Sequence, residues 1–287
     1  MSSGPDVAPA LARQHRVETS TTSLFAVELG QGRPLLFLHG VTANAFVWWP
    51  VMERLAHRYR TVAIDQRGHG RSSIGRDGHF EADACARDVT DVAAALQAGS
   101  VLLIGHSLGA RNAIVAGARR PDLIAGVIAI DFTPFIAPAV FDALDTRAAG
   151  GARTFADAAE VTGYLTERYP RLPPDAVARR ARYGYAPDAE GRLRPLAETE
   201  AMRATCAGLR EDLAPDLSAL ATPALLVRGA DSAFVSASAF AATRTLRADL
   251  WAVVVEGADH YVPEERPAQV AALIAEFSAE VFEGSGS

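Results

Sequence analysis

Val101-Leu102-Leu103-Ile104-Gly105-His106-Ser107-Leu108-Gly109-Ala110-Arg111 is the stretch that decides the fold of this chain. Four apolar residues run into Gly-x-Ser-x-Gly, and a helix-compatible segment follows. The pattern reads as strand, tight turn and helix, with Ser107 at the apex. Such a turn holds its serine in a strained backbone conformation. Gly105 and Gly109 are needed because a Cβ at either position would strike the neighbouring strand or helix. Glycine and serine also make ordinary turns, but the apolar run before and the helical pattern after single this one out. Ser107 is therefore the candidate nucleophile.

Around this stretch lie similar apolar runs. Leu35–Leu38, Thr61–Ile64 and Gly126–Ile130 are β-branched or leucine-rich without alternation, as expected of parallel strands covered on both faces. Helical spacing appears in Trp48–Tyr59, Ala82–Leu96 and Leu108–Arg119, and Arg16–Thr19 with Thr22–Leu29 can form an opening hairpin before the turn Gly30-Gln31-Gly32. The alternation predicts a mostly parallel, doubly wound α/β sheet. The rhythm stops at Asp131. From Phe132 to about Asp216 there are only proline-punctuated amphipathic helices rich in arginine; strands resume at Ala224–Arg228 and Trp251–Val255, before a closing helix from Glu264 to about Phe282. An insertion at the carboxyl edge of such a sheet would cover the ligand crevice. The expected organisation is a core of residues 1–131 and 217–287 with a helical lid, residues 132–216, inserted after the sixth strand. Residues 1–14 read as a loose arm and Glu283–Ser287 as a tail.

With 287 residues, 49% of them hydrophobic and 22% charged, the composition suits one large soluble α/β domain. No apolar stretch approaches the roughly 20 residues of a membrane span, and the start carries no secretory pattern, so a cytoplasmic protein without membrane attachment is expected. All 28 basic residues are arginine, which excludes a Schiff-base lysine and a Walker-type phosphate loop. A net charge of −6 and the absence of a basic stripe argue against a nucleic-acid partner. Cys85 and Cys206 have no metal-ligand spacing and read as free thiols; no metal and no cofactor are expected.

A serine nucleophile needs a base, and of seven histidines only His260, in Gly257-Ala258-Asp259-His260-Tyr261 after the last strand, is placed to reach the elbow. His39-Gly40-Val41 ends the first central strand, so the Val41 N–H pairs with that of Leu108 as an oxyanion hole, and the His39 imidazole is read as structural. His106 is expected to point away from the substrate. Together with Asp65-Gln66-Arg67-Gly68-His69-Gly70-Arg71-Ser72, these motifs resemble the α/β-hydrolase family over nearly the whole chain. In the resemblance Asp65 and His69 belong to a structural turn.

The acid departs from the family pattern. Relatives commonly carry it in the loop after the strand at Ala224–Arg228; here alignment of Val235-Ser236 with the usual ending puts Ser232, not Asp231, at that position, and a neutral serine cannot stabilise an imidazolium. Asp131 ends the strand beside the elbow strand, where some relatives carry their acid, and it ranks above Asp231. Its other reading is a cap on the first lid helix.

Arg147, Arg168 and Tyr169 lie on lid segments, where guanidinium groups can bind carboxylates; arginines on solvated helix faces are the plain alternative. The combination Ile130-Asp131-Phe132-Thr133-Pro134, Arg168-Tyr169-Pro170 and Gly257–Val262 resembles cofactor-free amide hydrolases of vitamin B6 degradation within the same family. That resemblance implies Asp131 as acid, Arg147, Arg168 and Tyr169 as carboxylate ligands, and the enamide of a small dicarboxylate as substrate. An esterase, an enol-lactone hydrolase or a C–C hydrolase for a carboxylated catabolite would use the same groups, and a hydrolase-fold ligand receptor is the alternative from another class. The oligomeric state stays open between monomer and homodimer.

Overall fold

The apolar runs pair into one eight-stranded sheet. Its strands are β1 (Arg13–Glu18), β2 (Ser23–Leu29), β3 (Arg33–Leu38), β4 (Tyr59–Ile64), β5 (Val101–His106), β6 (Ile124–Ile130), β9 (Ala224–Gly229) and β10 (Trp251–Val255); β7 (Tyr185–Pro187) and β8 (Leu193–Pro195) form a separate hairpin. The spatial order is β1-β2-β4-β3-β5-β6-β9-β10, antiparallel across β1–β2 and β2–β4 and parallel elsewhere. The structure is a computed structural model describing residues 12–151 and 153–283. Of the expected arm and tail, residues 1–11 and 284–287 lie outside the described residues, whereas Arg13 and Gln14 belong to β1 and Glu283 closes the last helix.

Alternate residues of the central strands feed two cores. Leu36, Leu38, Val101, Leu103, Val127 and Ala129 pack on one face, and Leu35, Phe37, Leu102, Ile104, Ile128 and Ile130 on the other. The strands are therefore apolar at every position because both faces are covered. The first face takes α2 (Ala82–Ala95) and α3 (Leu108–Arg119). The second takes α1 (Trp49–Leu55) and α11 (Pro267–Glu283). Trp48 is fully buried there, its ring 5.2 Å from that of Phe37, so it anchors the core rather than lining a pocket.

Two expected helices differ in extent, and one helix is additional. The Trp48–Tyr59 helix is a 3-10 turn at Ala45–Trp48 followed by α1, because Pro50 fits a first helical turn and Tyr59 already belongs to β4. The closing helix is broken into α10 (Val262–Glu265) and α11, since Pro267 drives Arg266 out of helical geometry, to φ −135° and ψ 54°. The helix α9 (Ala237–Leu246), capped by Ser236 Oγ accepting from Ala239 N at 3.1 Å, was not expected.

Between β6 and β9 lie α4 (Pro138–Ala149), α5 (Ala158–Arg168), α6 (Pro174–Tyr183), the β7–β8 hairpin, α7 (Thr199–Gly208) and α8 (Ala214–Ala219). The hairpin is a departure from an all-helical insertion; its strands are short and half exposed, so they carry no buried-strand pattern. Leu217 and Leu220 pack into the main core, and Arg119 of α3 pairs with Asp216 at 2.5 Å. The boundary expected at 216/217 thus falls inside a helix that packs with the core.

The elbow tolerates no side chain at its glycines. A Cβ on Gly105 would stand 2.2 Å from the Gly109 carbonyl oxygen, and one on Gly109 2.1 Å from that of Leu38. Both obstacles are backbone. Gly109→Ala is expected to lower stability by about 3 kcal/mol or more in urea unfolding. Gly163→Ala, inside α5 where a Cβ meets nothing within 4 Å, should raise it by about 0.5–1 kcal/mol. Equal effects at the two sites would refute the packing argument.

Candidate active site

Four described non-glycine residues have positive φ, and three of them gather at the carboxyl edge of the sheet: Thr42 (φ 62°), Ser107 (φ 53°) and Asp131 (φ 51°). Such conformations cost about 1–3 kcal/mol each and persist only where the surroundings impose them. Ser107 is held between β5 and α3, with its N–H on the Ile130 carbonyl at 2.9 Å; Asp131 is held by its N–H on the Val227 carbonyl at 2.8 Å. Leu108 opens α3, and the N–H of a first helical residue has no acceptor within its own helix.

His260 faces Asp131. Its Nδ1 lies 2.8 Å from Asp131 Oδ2. A carboxylate has no proton to give, so Nδ1 carries the hydrogen and Nε2 is left as the basic nitrogen. The same Oδ2 accepts from Ser232 Oγ at 2.6 Å, and Oδ1 accepts from Gly229 N at 3.1 Å. Ser232 Oγ in turn accepts from Phe234 N and Val235 N, at 3.2 and 3.0 Å. Asp231 points elsewhere: it pairs with Arg171 at 2.7 Å and is half exposed. Geometry therefore favours Asp131 over Asp231 beside His260. Asp131 does not cap the first helix of the insertion either, since α4 starts at Pro138. The Phe234 ring lies 4.3 Å from that of His260.

Ser107, His260 and Val41 line one cavity of about 580 Å³, which Arg147 and Arg168 also line. These two arginines fix each other, each donating to the other's main-chain carbonyl, at 2.6 Å from Arg147 and 2.5 Å from Arg168. A third guanidinium, Arg180, also lines the cavity and is paired with buried Glu264. Sequence reasoning missed Arg180, because its partner lies 84 residues away and no local pattern marks the pair. Tyr169 lines a smaller adjoining cavity of about 50 Å³ that shares Thr42, Arg168 and Arg180 with the one holding Ser107. The Tyr261 ring lies edge-on to that of Tyr169, with centres 5.1 Å apart. Burial pushes the Tyr169 hydroxyl up, but Arg180 and Arg168 outweigh it and bring the pKa down to about 8.

His106 lines the main cavity, and its Nε2 donates to the His260 carbonyl at 2.7 Å. His39 is structural as expected: Gln66 N donates to its Nε2 at 3.0 Å, so Nδ1 donates to the Gly40 carbonyl at 2.8 Å. Asp65 accepts from Ala45 N and Arg71 N, at 2.7 and 2.8 Å, and orders the turn it begins. Cys85 and Cys206 are buried free thiols. Among the described residues no group of three or more His, Cys, Asp or Glu is placed to hold a metal ion, and no helix is long and apolar enough to cross a membrane.

Burial lowers the pKa of His39, His69 and His106, that of His69 from 6.5 to about 4. Below pH 6.5 the unfolded chain binds these protons before the native one, so their contribution, complete above pH 6.5, is lost as the pH falls. Asp65, raised by burial to about 6, opposes them, because native Asp65 keeps a proton that the unfolded chain has lost above its ordinary pKa of 3.8. In His69→Asn the slope of unfolding free energy between pH 4.5 and 6 should fall by up to about 1.4 kcal/mol per pH unit. An unchanged slope in urea titrations would show that His69 does not carry it.

Residues 33–267 match the family described as alpha/beta hydrolase fold. The chain is 46% identical over 266 residues to a 2-(acetamidomethylene)succinate hydrolase of Mesorhizobium japonicum, covering 91% of this chain and 95% of that protein. It is 42% identical over 102 residues to an N-formylmaleamate deformylase of Pseudomonas putida, 36% of this chain and 38% of that one. A crystal structure of E-2-(acetamidomethylene)succinate hydrolase superposes with a TM-score of 0.90 at 45% identity, covering 93% of this chain and 98% of that chain. By sequence, by sheet order and by its serine elbow, this chain belongs to the α/β-hydrolase family and is a hydrolase.

Proposed function

We propose that the protein hydrolyses the acetamide bond of (E)-2-(acetamidomethylene)succinate by acyl transfer through Ser107, His260 and Asp131. The observation that carries this reading is one cavity lined by a strained serine, a histidine paired with a buried carboxylate, and the guanidinium-bearing residues Arg147 and Arg168. The likeness to the Mesorhizobium enzyme over nearly the whole of both chains supports the substrate.

His260 Nε2 takes the Ser107 proton as Oγ attacks the acetyl carbonyl. The N–H groups of Val41 and Leu108 receive the oxyanion, at about 2.7–4 kcal/mol per donor. His260 then protonates the nitrogen, and the C–N bond breaks. The leaving group is an enamine conjugated with a carboxylate, so it departs more readily than a simple amine. Water, deprotonated by His260, releases acetate from Ser107. Hydrolysis of the freed enamine and loss of carbon dioxide from the resulting aldehyde acid yield ammonia and succinic semialdehyde. Arg147 and Arg168 hold the carboxylates by charge-assisted hydrogen bonds, with Tyr169 supporting the guanidinium of Arg168 from behind. The insertion from residue 132 acts as the lid over this cavity.

Asp131→Asn is expected to lower kcat about 10⁴-fold, whereas Asp231→Asn should stay within about threefold, as for an exposed ion pair. The reverse order in an acetate-release assay would move the acid to Asp231. With the dicarboxylate, Arg168→Ala should raise KM at least about tenfold, a charge-assisted hydrogen bond being worth about 1.5–3 kcal/mol. Its effect on p-nitrophenyl acetate should be slight. If uncharged esters prove the best substrates and Arg168→Ala changes neither activity, the dicarboxylate reading fails. An acetyl group on Ser107, trapped in single-turnover mass spectrometry, would distinguish the covalent route from direct attack by water.

A further inference from the structure

The acyl-transfer reading uses the arginine wall and leaves the rest of the cavity without a task. Much of that remainder is apolar. Ala139, Val140, Ala143 and Leu144 of α4 line it, together with Val41 and Phe234. Arg147 lines the same cavity from the same helix. Residues 139, 143 and 147 follow one another at intervals of four, and 140 and 144 fill the same stripe, so a single helix face passes from apolar to cationic. At a rise of 1.5 Å per residue the stripe is about 12 Å long.

The orientation of α4 is set from its other sides. Phe141 is buried edge-on to Phe234, with ring centres 6.2 Å apart. Arg210 holds Asp142 and Asp145, at 2.8 and 2.6 Å, on the outward side. The apolar stripe is thus presented to the cavity by packing. Ala139 and Ala143 are exposed there, and Val140 and Leu144 are half buried, so their surfaces remain available to an apolar ligand. A volume of about 580 Å³ lies within the range of drug-sized ligand sites, roughly 300–1,000 Å³. Acetyl offers a single methyl beyond the scissile carbonyl.

We propose that the enzyme takes N-acyl groups of medium chain length as well as acetyl, with the chain lying along the amino-terminal half of α4. This rests on the acyl-transfer reading above, with the carboxylates at the Arg147 end of the stripe and the acyl chain at the Ala139 end. The reaction is the same hydrolysis: the C–N bond breaks, the hydroxyl of water ends on the acyl carbon, its hydrogen ends on nitrogen, and a straight-chain carboxylic acid leaves. No oxidant or reductant is involved.

The test compares acetyl, butyryl and hexanoyl amides of the same aminomethylene dicarboxylate, alongside the p-nitrophenyl esters of the same acids. KM should fall about two- to fourfold per added methylene where the wall covers it. The ratio of kcat/KM for hexanoyl over acetyl should drop at least about tenfold in Ala143→Phe, which fills the stripe. It should also drop in Val140→Thr, which keeps volume and makes the stripe polar. Falling kcat/KM with each methylene in both series, or ratios unmoved in both variants, would overturn the proposal. The two readings fail separately. Rapid acetyl-amide turnover with a declining ester series sinks the acyl arm alone, whereas a rising ester series with an inert acetyl amide sinks the dicarboxylate substrate and supports the arm.

Discussion

The carboxylate of Asp131 is completely buried, and its only ion-pair partner among the described residues is His260. A carboxylate withdrawn from water is tolerated only when its lone pairs find donors. Three donors meet it: His260 Nδ1, Ser232 Oγ and Gly229 N. They come from the loop after β10, the loop after β9 and the end of β9. Satisfying one charge therefore fixes two loops against the end of β6. Each donor is fixed in turn. Ser232 accepts two backbone N–H groups, and His260 has its ring against Phe234 and its carbonyl on His106.

This explains what becomes of the loop where relatives commonly carry the acid. With the charge just past the end of β6, the loop after β9 carries a hydroxyl at the usual acid position, and that hydroxyl donates to the imidazole's partner. Reading Ser232 only as a missing carboxylate was correct about charge and incomplete about hydrogen bonding. A serine cannot stabilise an imidazolium by itself. It can donate to the carboxylate that does, and it needs no charge of its own to be buried.

The parts legible in the sequence are those whose cause is local. Gly105 and Gly109 announce the elbow because backbone oxygens leave no room for a Cβ, and the strands announce themselves because both faces are buried. The placing of Asp131 beside the elbow strand follows from strand order, one inference beyond local pattern, and the structure sets it 2.8 Å from His260 Nδ1. What stayed hidden depends on tertiary contact. Arg180 is defined by Glu264 from a distant segment. The edge-on contact of Tyr169 with Tyr261 likewise joins segments far apart in sequence. The β7–β8 strands pair for three residues each, too short for periodicity to register. The bond from the His106 imidazole to the His260 carbonyl joins residues 154 apart, so no local pattern marks it.

Charge in the cavity is arranged so that its cations are not equivalent. Arg180 is balanced by Glu264 and sandwiched by Tyr169 and Tyr261, 4.6 and 5.1 Å from their ring centres, so much of its field is already answered within the protein. Arg147 and Arg168 are tied instead to main-chain carbonyls, which set their rotamers without neutralising them. A guanidinium has five donors, and one such bond leaves donors over for an anion. Histidine follows the opposite logic. Burial lowers the proton affinity of His39, His69 and His106, and His106 spends its Nε2 hydrogen on the His260 carbonyl. The imidazole nearest Ser107 in sequence thus holds the main chain of His260, while Asp131 holds its ring. One imidazole is thus paired with a buried carboxylate, and the guanidinium groups of Arg147 and Arg168 are held by main-chain carbonyls.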